Sequence, residues 1–338
     1  MKTMSKSTKL NRLTKSVAAL SVALFALTGC VAGESAPTSE GAQVLKLDYS
    51  YWNPLSLVIR DQGWLEEELA AEGYTVEWIL SAGSANALEN LNAEAIDIGS
   101  TAGAAAFAAH ANGVAINTIG VFSQPNWASI VVARDSDITT VEQLQGKKIA
   151  AASGTDPYFF LLQALTEVGL TTADVEVVNL PHADGQKALE NGDVDVWAGL
   201  DPLTATSELN AGSRIIYSNP DFNSWGVLNA RTEFLSEKPE IVEVVLAQYQ
   251  RARAWILENQ QGAVDILIKE AQLDPTVATK VLTERTNIDV SLIPGETQLA
   301  VFRIISPVLV AEGRIKSAED AEKALTTLIN DTIAKKIG

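Results

Sequence analysis

The sequence predicts an α/β protein of two lobes followed by an all-helical C-terminal part. Between residues 44 and 231 short β-branched runs alternate with helical patterns, the signature of parallel, doubly wound sheets with helices on both faces. The ten candidate strands in this stretch are many for one sheet, which favours two smaller lobes. Beyond Arg231 only helical periodicity is found.

The chain opens on a leader. Residues 1–16 are polar and basic, and residues 17–27 are apolar except for Ser21. That run is too short to cross a bilayer, which takes roughly 20 residues, and suits the core of a secretory signal peptide. It ends in Leu27-Thr28-Gly29-Cys30, which resembles the bacterial lipobox, whose cysteine is lipidated and becomes the first residue. Residues 1–29 are therefore read as a lipoprotein signal peptide. Residues 30–43 are read as the lipidated Cys30 and a flexible tether, because 31–42 are small, polar and bear Pro, Ser and Gly.

Strands are expected at 44–50, 75–81, 96–100, 117–123, 129–135, 147–152, 175–180, 194–200, 214–218 and 225–231. Helices are expected at 55–71, 85–93, 102–111, 141–144, 158–168 and 186–191. In the C-terminal part Ile241, Val244, Val245, Tyr249, Ala252, Trp255 and Ile256 form an apolar stripe at helical spacing. Asp274-Pro275, and Ser317 with Asp320 three residues on, mark further helix starts. With the strands at 129–135 and 225–231 placed at the crossings, as a two-strand hinge, lobe I takes 44–130 plus 229–338 and lobe II takes 131–228. Two connections permit closure on a ligand.

The 338 residues carry a net charge of −17, although the first 30 include Lys2, Lys6, Lys9, Arg12 and Lys15 and no acid. So acidic a body repels phosphate backbones, which excludes a nucleic-acid partner. One cysteine and two histidines leave no disulfide, no thiolate cluster and no histidine-rich metal site. No metal or cofactor is expected. His110 follows an alanine run and is read as an ordinary helix residue. His182, after Pro181, could line the cleft but is read first as part of a surface turn.

The most informative pattern is the repeated junction of strand, cap and helix. Asn53-Pro54, Asp156-Pro157 and Asp201-Pro202 each set a capping residue before a proline. Ser84 opens a helix after Ala82-Gly83, and Ser100-Thr101 precedes the small-residue segment that starts at Ala102. In open α/β sheets such junctions border the ligand crevice, and helix starts bind anions without Lys or Arg. Ala102 and its small neighbours serve close packing or ligand approach equally well. Tyr51, Trp52, Trp127, Tyr158 and Trp225 lie beside the expected crevice and can wall an apolar tail, whereas Trp64, Trp78, Trp197 and Trp255 are read as core. Asp201 has two readings: a helix cap, or a partner for a ligand amine that would disfavour a bare anion.

Several segments resemble the aliphatic sulfonate/taurine/nitrate branch of ABC-importer substrate-binding proteins. They are Asp61-Gln62-Gly63-Trp64-Leu65-Glu66, Ser81-Ala82-Gly83, Ala95-Ile96-Asp97-Ile98-Gly99, Leu144-Gln145-Gly146-Lys147-Lys148-Ile149-Ala150, Ser153-Gly154-Thr155, Leu180-Pro181 with Ala183-Asp184, and Gly192-Asp193-Val194-Asp195-Val196-Trp197 leading into Asp201-Pro202. They run in the family's order over about residues 44–235. The segment Ile98-Gly99-Ser100-Thr101-Ala102-Gly103 departs from the polar Gly-Glu-Thr-Pro type common among sulfonate binders, which leaves the ligand subclass open.

The resemblance implies a type II periplasmic-binding-protein fold and no catalysis. It implies a monomer, anchored outside the cytoplasmic membrane, that hands a small organic anion to an ABC permease. It places the ligand's acid group against Ser81, Gly83 and Ser84, against Ser100, Thr101 and Ala102, and against Ser153, Gly154 and Thr155. Tyr51, Trp52, Asn53, Gln124, Trp127, Tyr158, Asp201 and Trp225 complete the expected site. An alkanesulfonate-like anion is the leading ligand. Taurine, nitrate and a pyrimidine precursor of thiamine are the alternatives. An enzyme on the same fold would need a nucleophile and base, and the sequence offers no such set.

Overall fold

The computed structural model describes residues 43–338, so the leader, Cys30 and nearly all of the tether lie outside the described residues. Ten strands form two five-stranded sheets. The chain runs through β1 (Gln43–Tyr49), α1 (Pro54–Gln62), α2 (Trp64–Ala70), β2 (Tyr74–Leu80), α3 (Ser84–Asn92), β3 (Ile98–Ala102), α4 (Gly103–Ala111) and β4 (Ile116–Ser123). It then enters β5 (Ala128–Val132), β6 (Lys148–Ala151), α5 (Asp156–Glu167), β7 (Glu176–Asn179), α6 (His182–Asn191), β8 (Val196–Leu200), α7 (Leu203–Asn210) and β9 (Arg214–Tyr217). It returns through β10 (Gly226–Arg231) into α8 (Thr232–Glu237), α9 (Pro239–Glu258), α10 (Gln260–Ala271), α11 (Pro275–Lys280), α12 (Glu296–Ala311), α13 (Ala318–Thr327) and α14 (Ala334–Ile337).

The sheets share one plan. The first has the order β2-β1-β3-β10-β4 and the second β7-β6-β8-β5-β9. In each, one strand runs antiparallel to both neighbours: β10 in the first and β5 in the second. The purely parallel sheets expected from the alternation are therefore mixed. The reason is topological: β5 and β10 are the first strands entered after the chain changes sheet, so no crossover helix has to return them parallel. The crossings are residues 124–127 and 218–225, immediately ahead of these two strands.

The expected helix over 55–71 is two helices. Gly63 adopts a left-handed conformation (φ 64°) and its N–H closes α1 on the carbonyls of Arg60 and Ile59, as a glycine at that position favours. The expected strand over 96–100 begins two residues later, so Ser100, Thr101 and Ala102 lie inside β3, paired with Leu228, Val227 and Gly226 of β10. The helix expected at 186–191 starts earlier, at His182.

The stripe of α9 is buried at Ile241, Val245, Tyr249, Ala252 and Ile256, and this helix packs on α1, α2 and β4. C-terminal helices also reach the second sheet's side, where α12 touches α5 and α11 touches α7.

Candidate functional site

A cavity of about 490 Å³ lies between the loops that follow β1 and β2 and those that follow β6, β7 and β8. It thus sits outside the carboxyl ends of strands in both sheets, where open α/β folds hold ligands. Tyr51, Trp52, Leu80, Leu200 and Leu203 supply apolar walls, and Ser81, Asn86, Ser153, Thr155 and Asn179 add polar groups. A narrow extension behind it is bordered by Trp52, Ser84, Ala102, Trp127, Thr155, Asp156 and His182. Neither lining includes a lysine or arginine among the described residues.

Four helices start at this cavity. Gly83, Ala85 and Asn86 of the α3 start, Thr155 before α5, Pro181 to Ala183 at α6, and Pro202 with Leu203 at α7 all border it. Amides in the first turn of a helix lack an intrahelical acceptor and carry partial positive charge. No side chain caps α3, α5 or α6 from its own cap position. Thr155 donates its hydroxyl to the carbonyl of Ala152 (2.7 Å) and keeps its lone pairs.

The start of α4 is closed instead. Gly103 N–H donates to the carbonyls of Ser224 (3.1 Å) and Trp225 (2.9 Å), and Ala104 N–H to Ser224 Oγ (2.7 Å). A methyl group on Gly103 would lie 2.1 Å from the Ser224 carbonyl oxygen, so the small residues here serve close packing by the returning crossover segment. Ser224 also donates its hydroxyl to Asp156 Oδ1, while Trp127 Nε1 donates to Asp156 Oδ2 (2.6 Å). Burial raises the Asp156 carboxyl to about 6 against these hydrogen bonds.

Several expected ligand contacts are engaged elsewhere. Ser100 donates its N–H and hydroxyl to Asp48 (2.9 Å each) and accepts from Asn53 Nδ2 (2.8 Å). Thr101 accepts from Asn229 Nδ2 (2.8 Å). Asn53 caps α1 through Ser56 N–H. Burial pushes the Asp48 carboxyl up to about 7, opposed by the Ser100 bonds. Asn53, Ser100 and Thr101 are fully buried and border neither the cavity nor its extension.

Gln124, Gly154, Tyr158 and Trp225 also stand outside both linings. Gln124 N–H donates to the Asn287 carbonyl (2.8 Å). Gly154 supplies the left-handed turn before α5 (φ 80°). Tyr158 is covered by the Arg314 guanidinium, 4.5 Å from its ring centre. Trp225 packs with Leu91, Ile96 and Val121. The residues brought together are Tyr51, Trp52, Ser81, Gly83, Ser153, Thr155 and Asp201 in the cavity, and Ser84, Ala102 and Trp127 in its extension. Trp52 meets Trp127 edge-on at 5.4 Å.

Asp201 is both cap and ion-pair partner. Its Oδ1 accepts from Ala205 N–H (3.0 Å), and Arg285 Nη1 donates to Oδ1 (2.9 Å) and Oδ2 (3.0 Å). Burial raises its pKa to about 6, with Arg285 pulling it down. The α7 helix starts one residue later than Asp201-Pro202 suggested, at Leu203.

Sequence reasoning left His182 out of the site and missed Asn86, Asn179, Leu200 and Leu203. His182 is buried in the lining rather than set in a surface turn. The α6 start has proline in the cap position, so it lacks the capping signal that marked the other junctions.

Comparison with known proteins agrees with this architecture. The chain is 28% identical over 315 residues to a putative aliphatic sulfonates-binding protein of Bacillus subtilis (strain 168), covering 90% of this chain and 94% of the relative. It is 29% identical over 298 residues to a putative aliphatic sulfonates-binding protein of Escherichia coli (strain K12), covering 88% and 89%. The alkanesulfonate-binding protein SsuA from Xanthomonas axonopodis pv. citri, solved with bound MOPS, superposes with a TM-score of 0.76 at 22% identity, covering 86% of this chain and 98% of that one. The fold is thus the two-lobed periplasmic-binding-protein fold. The family model described as NMT1/THI5 like matches residues 57–263, and the chain belongs to that family.

Proposed function

We propose that this protein is the extracytoplasmic solute-binding component of an ABC importer and captures an aliphatic sulfonate in the cleft between its lobes. The observation that carries this reading is a cavity bordered by uncapped helix starts and hydroxyls, with apolar walls and an acid already paired to arginine. Its volume of about 490 Å³ suits a small organic molecule. Amides at Ser84, Ala85, His182 and Ala183 and the hydroxyls of Ser81 and Ser153 would hold the acid group, and Trp52, Leu80 and Leu200 the tail. The Arg285 pair favours an alkanesulfonate over taurine, because Asp201 is not left to receive an amine.

The relatives' names support the same ligand class. With the crossings taken at 124–127 and 218–225, residues 43–123 plus 226–338 and residues 128–217 act as the two lobes of a monomer. The leader at 1–29 directs export and is removed, and lipidated Cys30 holds the protein to the outer face of the membrane beside its permease. The two relatives are named as binding proteins, which supports binding without chemistry.

Thermal unfolding against ethanesulfonate, taurine, nitrate, sulfate and a hydroxymethylpyrimidine tests the reading. A ligand at about 100 times its Kd stabilises by roughly 2.7 kcal/mol. Stabilisation by ethanesulfonate above the rest is expected. A response to taurine or the pyrimidine alone would replace the assignment.

A further inference from the structure

We infer that His182 is the second lobe's hydrogen-bond donor to the ligand's acid group and takes up a proton when the anion binds. The inference rests on the anionic-ligand reading above and assigns one residue a defined role within it. His182 is the first residue of α6 and borders both the cavity and its narrow extension. Its side chain is 8% exposed, and neither ring nitrogen has a hydrogen-bond partner among the described residues. An unpaired buried donor costs about 1–3 kcal/mol, so the site is incomplete until an acceptor enters.

The ring's place across the cleft sets where that acceptor sits. A methyl group built on Gly83 would lie 3.4 Å from His182 Nε2. The imidazole of one lobe therefore faces the bare backbone that begins α3 in the other. An acid group seated there can accept from the Ser84 and Ala85 amides on one side and from the imidazole on the other. Its two or more oxygens would tie the lobes together.

The surroundings set the direction of proton movement. Burial alone lowers the His182 pKa, to about 4. Titratable groups on the elements packed around it are Asp184, Lys187 and Glu190 on its own helix, Lys148 on β6, Glu208 on α7 and Glu89 on α3. None of these contributes to that shift. Asp156 and Asp201 border the same space, yet Asp156 is bonded to Trp127 and Ser224, and Asp201 to Arg285. A desolvated anion would thus be the first strong negative partner for the ring, raising its pKa and drawing in a proton.

The test uses the full-length chain and ethanesulfonate. Imidazole NMR resolves two histidines, His110 and His182, with His182→Gln assigning the second. We expect a neutral His182 in the free protein at pH 5.5, and ring signals that move to the charged form on saturation while those of His110 stay. Affinity should be about tenfold higher at pH 5.5 than at pH 8 in the native chain and flat with pH in His182→Gln. Unmoved His182 signals, with equal affinity in both chains at both pH values, overturn the inference. Failure of every acid-headed organic anion to bind at either pH overturns the anionic-ligand reading and this inference together.

Discussion

Arg285, at the end of the turn that follows α11, donates Nη1 to both carboxylate oxygens of Asp201 at 2.9 and 3.0 Å. Asp201 belongs to the second lobe's cavity wall, whereas Arg285 comes from the C-terminal helical part. The same guanidinium reaches Glu208 on α7, which Lys280 also approaches at 3.0 Å. The pair offsets the Asp201 charge at the cleft wall and links the second sheet's helix α7 region to the C-terminal helical part.

Removing one partner alone strands the other. Arg285→Gln leaves a buried carboxylate without its cation and is expected to cost about 3 kcal/mol near pH 8. The loss should shrink at pH 5, where Asp201, already raised to about 6, is protonated. Asp201→Asn combined with Arg285→Gln should recover most of the loss. Urea unfolding of the two single variants and the double variant measures the coupling. Additive losses would mean that the pair carries no joint energy.

Gly83 controls the gap in front of His182. Its φ of 169° is extended backbone open to any residue, and a methyl group would meet only the imidazole edge. Gly83→Ala should leave the unfolding midpoint within about 0.5 kcal/mol of the native value and weaken ethanesulfonate binding about tenfold. Calorimetry checks the second figure. Unchanged affinity would place the acid group elsewhere in the cavity.

Gly103 makes the opposite case. Its methyl would lie 2.1 Å from the Ser224 carbonyl oxygen, in a region already filled by Phe302. Gly103→Ala should destabilise the fold by about 2 kcal/mol or more, the scale of overpacking. A midpoint equal to the native one would show that the returning crossover segment moves freely from α4.

Asp48 gives an unusual pH dependence. Burial holds its folded pKa at about 7 against an ordinary 3.8. Between those values the folded chain keeps a proton that the unfolded chain has lost. The stability from this group is therefore present at low pH and disappears as pH rises through about 7. Native stability relative to Asp48→Asn should fall by about 2 kcal/mol from pH 5 to pH 8. His182 shifts in the opposite sense but is common to both chains and drops out of the difference. Parallel pH profiles would mean that Asp48 is ionised throughout.

Much of this architecture is written in local pattern. All ten strands and the helical C-terminal part follow from alternation and spacing, because most sheet strands are short apolar runs carrying β-branched residues with turn residues near their ends. Which strand ends meet was less legible. Ser100 and Thr101 carry the chemistry of a helix cap, yet β3 extends through them and Asp48 and Asn229 take their hydroxyls. Nothing local distinguishes a capping serine from a strand serine that meets a distant carboxylate. Asp201 was ambiguous for the same reason: its arginine lies 84 positions further on. His182 reads as a surface turn rather than a site residue because proline, rather than Ser, Asp or Asn, precedes its helix.

The central claim is that the cleft holds an organic sulfonate by helix starts and donors, with the Asp201 carboxylate of its wall neutralised. Calorimetric titration of the purified full-length chain with ethanesulfonate, and separately with ethylammonium, tests it most directly. The account predicts one-site binding of ethanesulfonate and no heat from ethylammonium. Binding of ethylammonium without ethanesulfonate would show that Asp201 serves the ligand and would contradict the account.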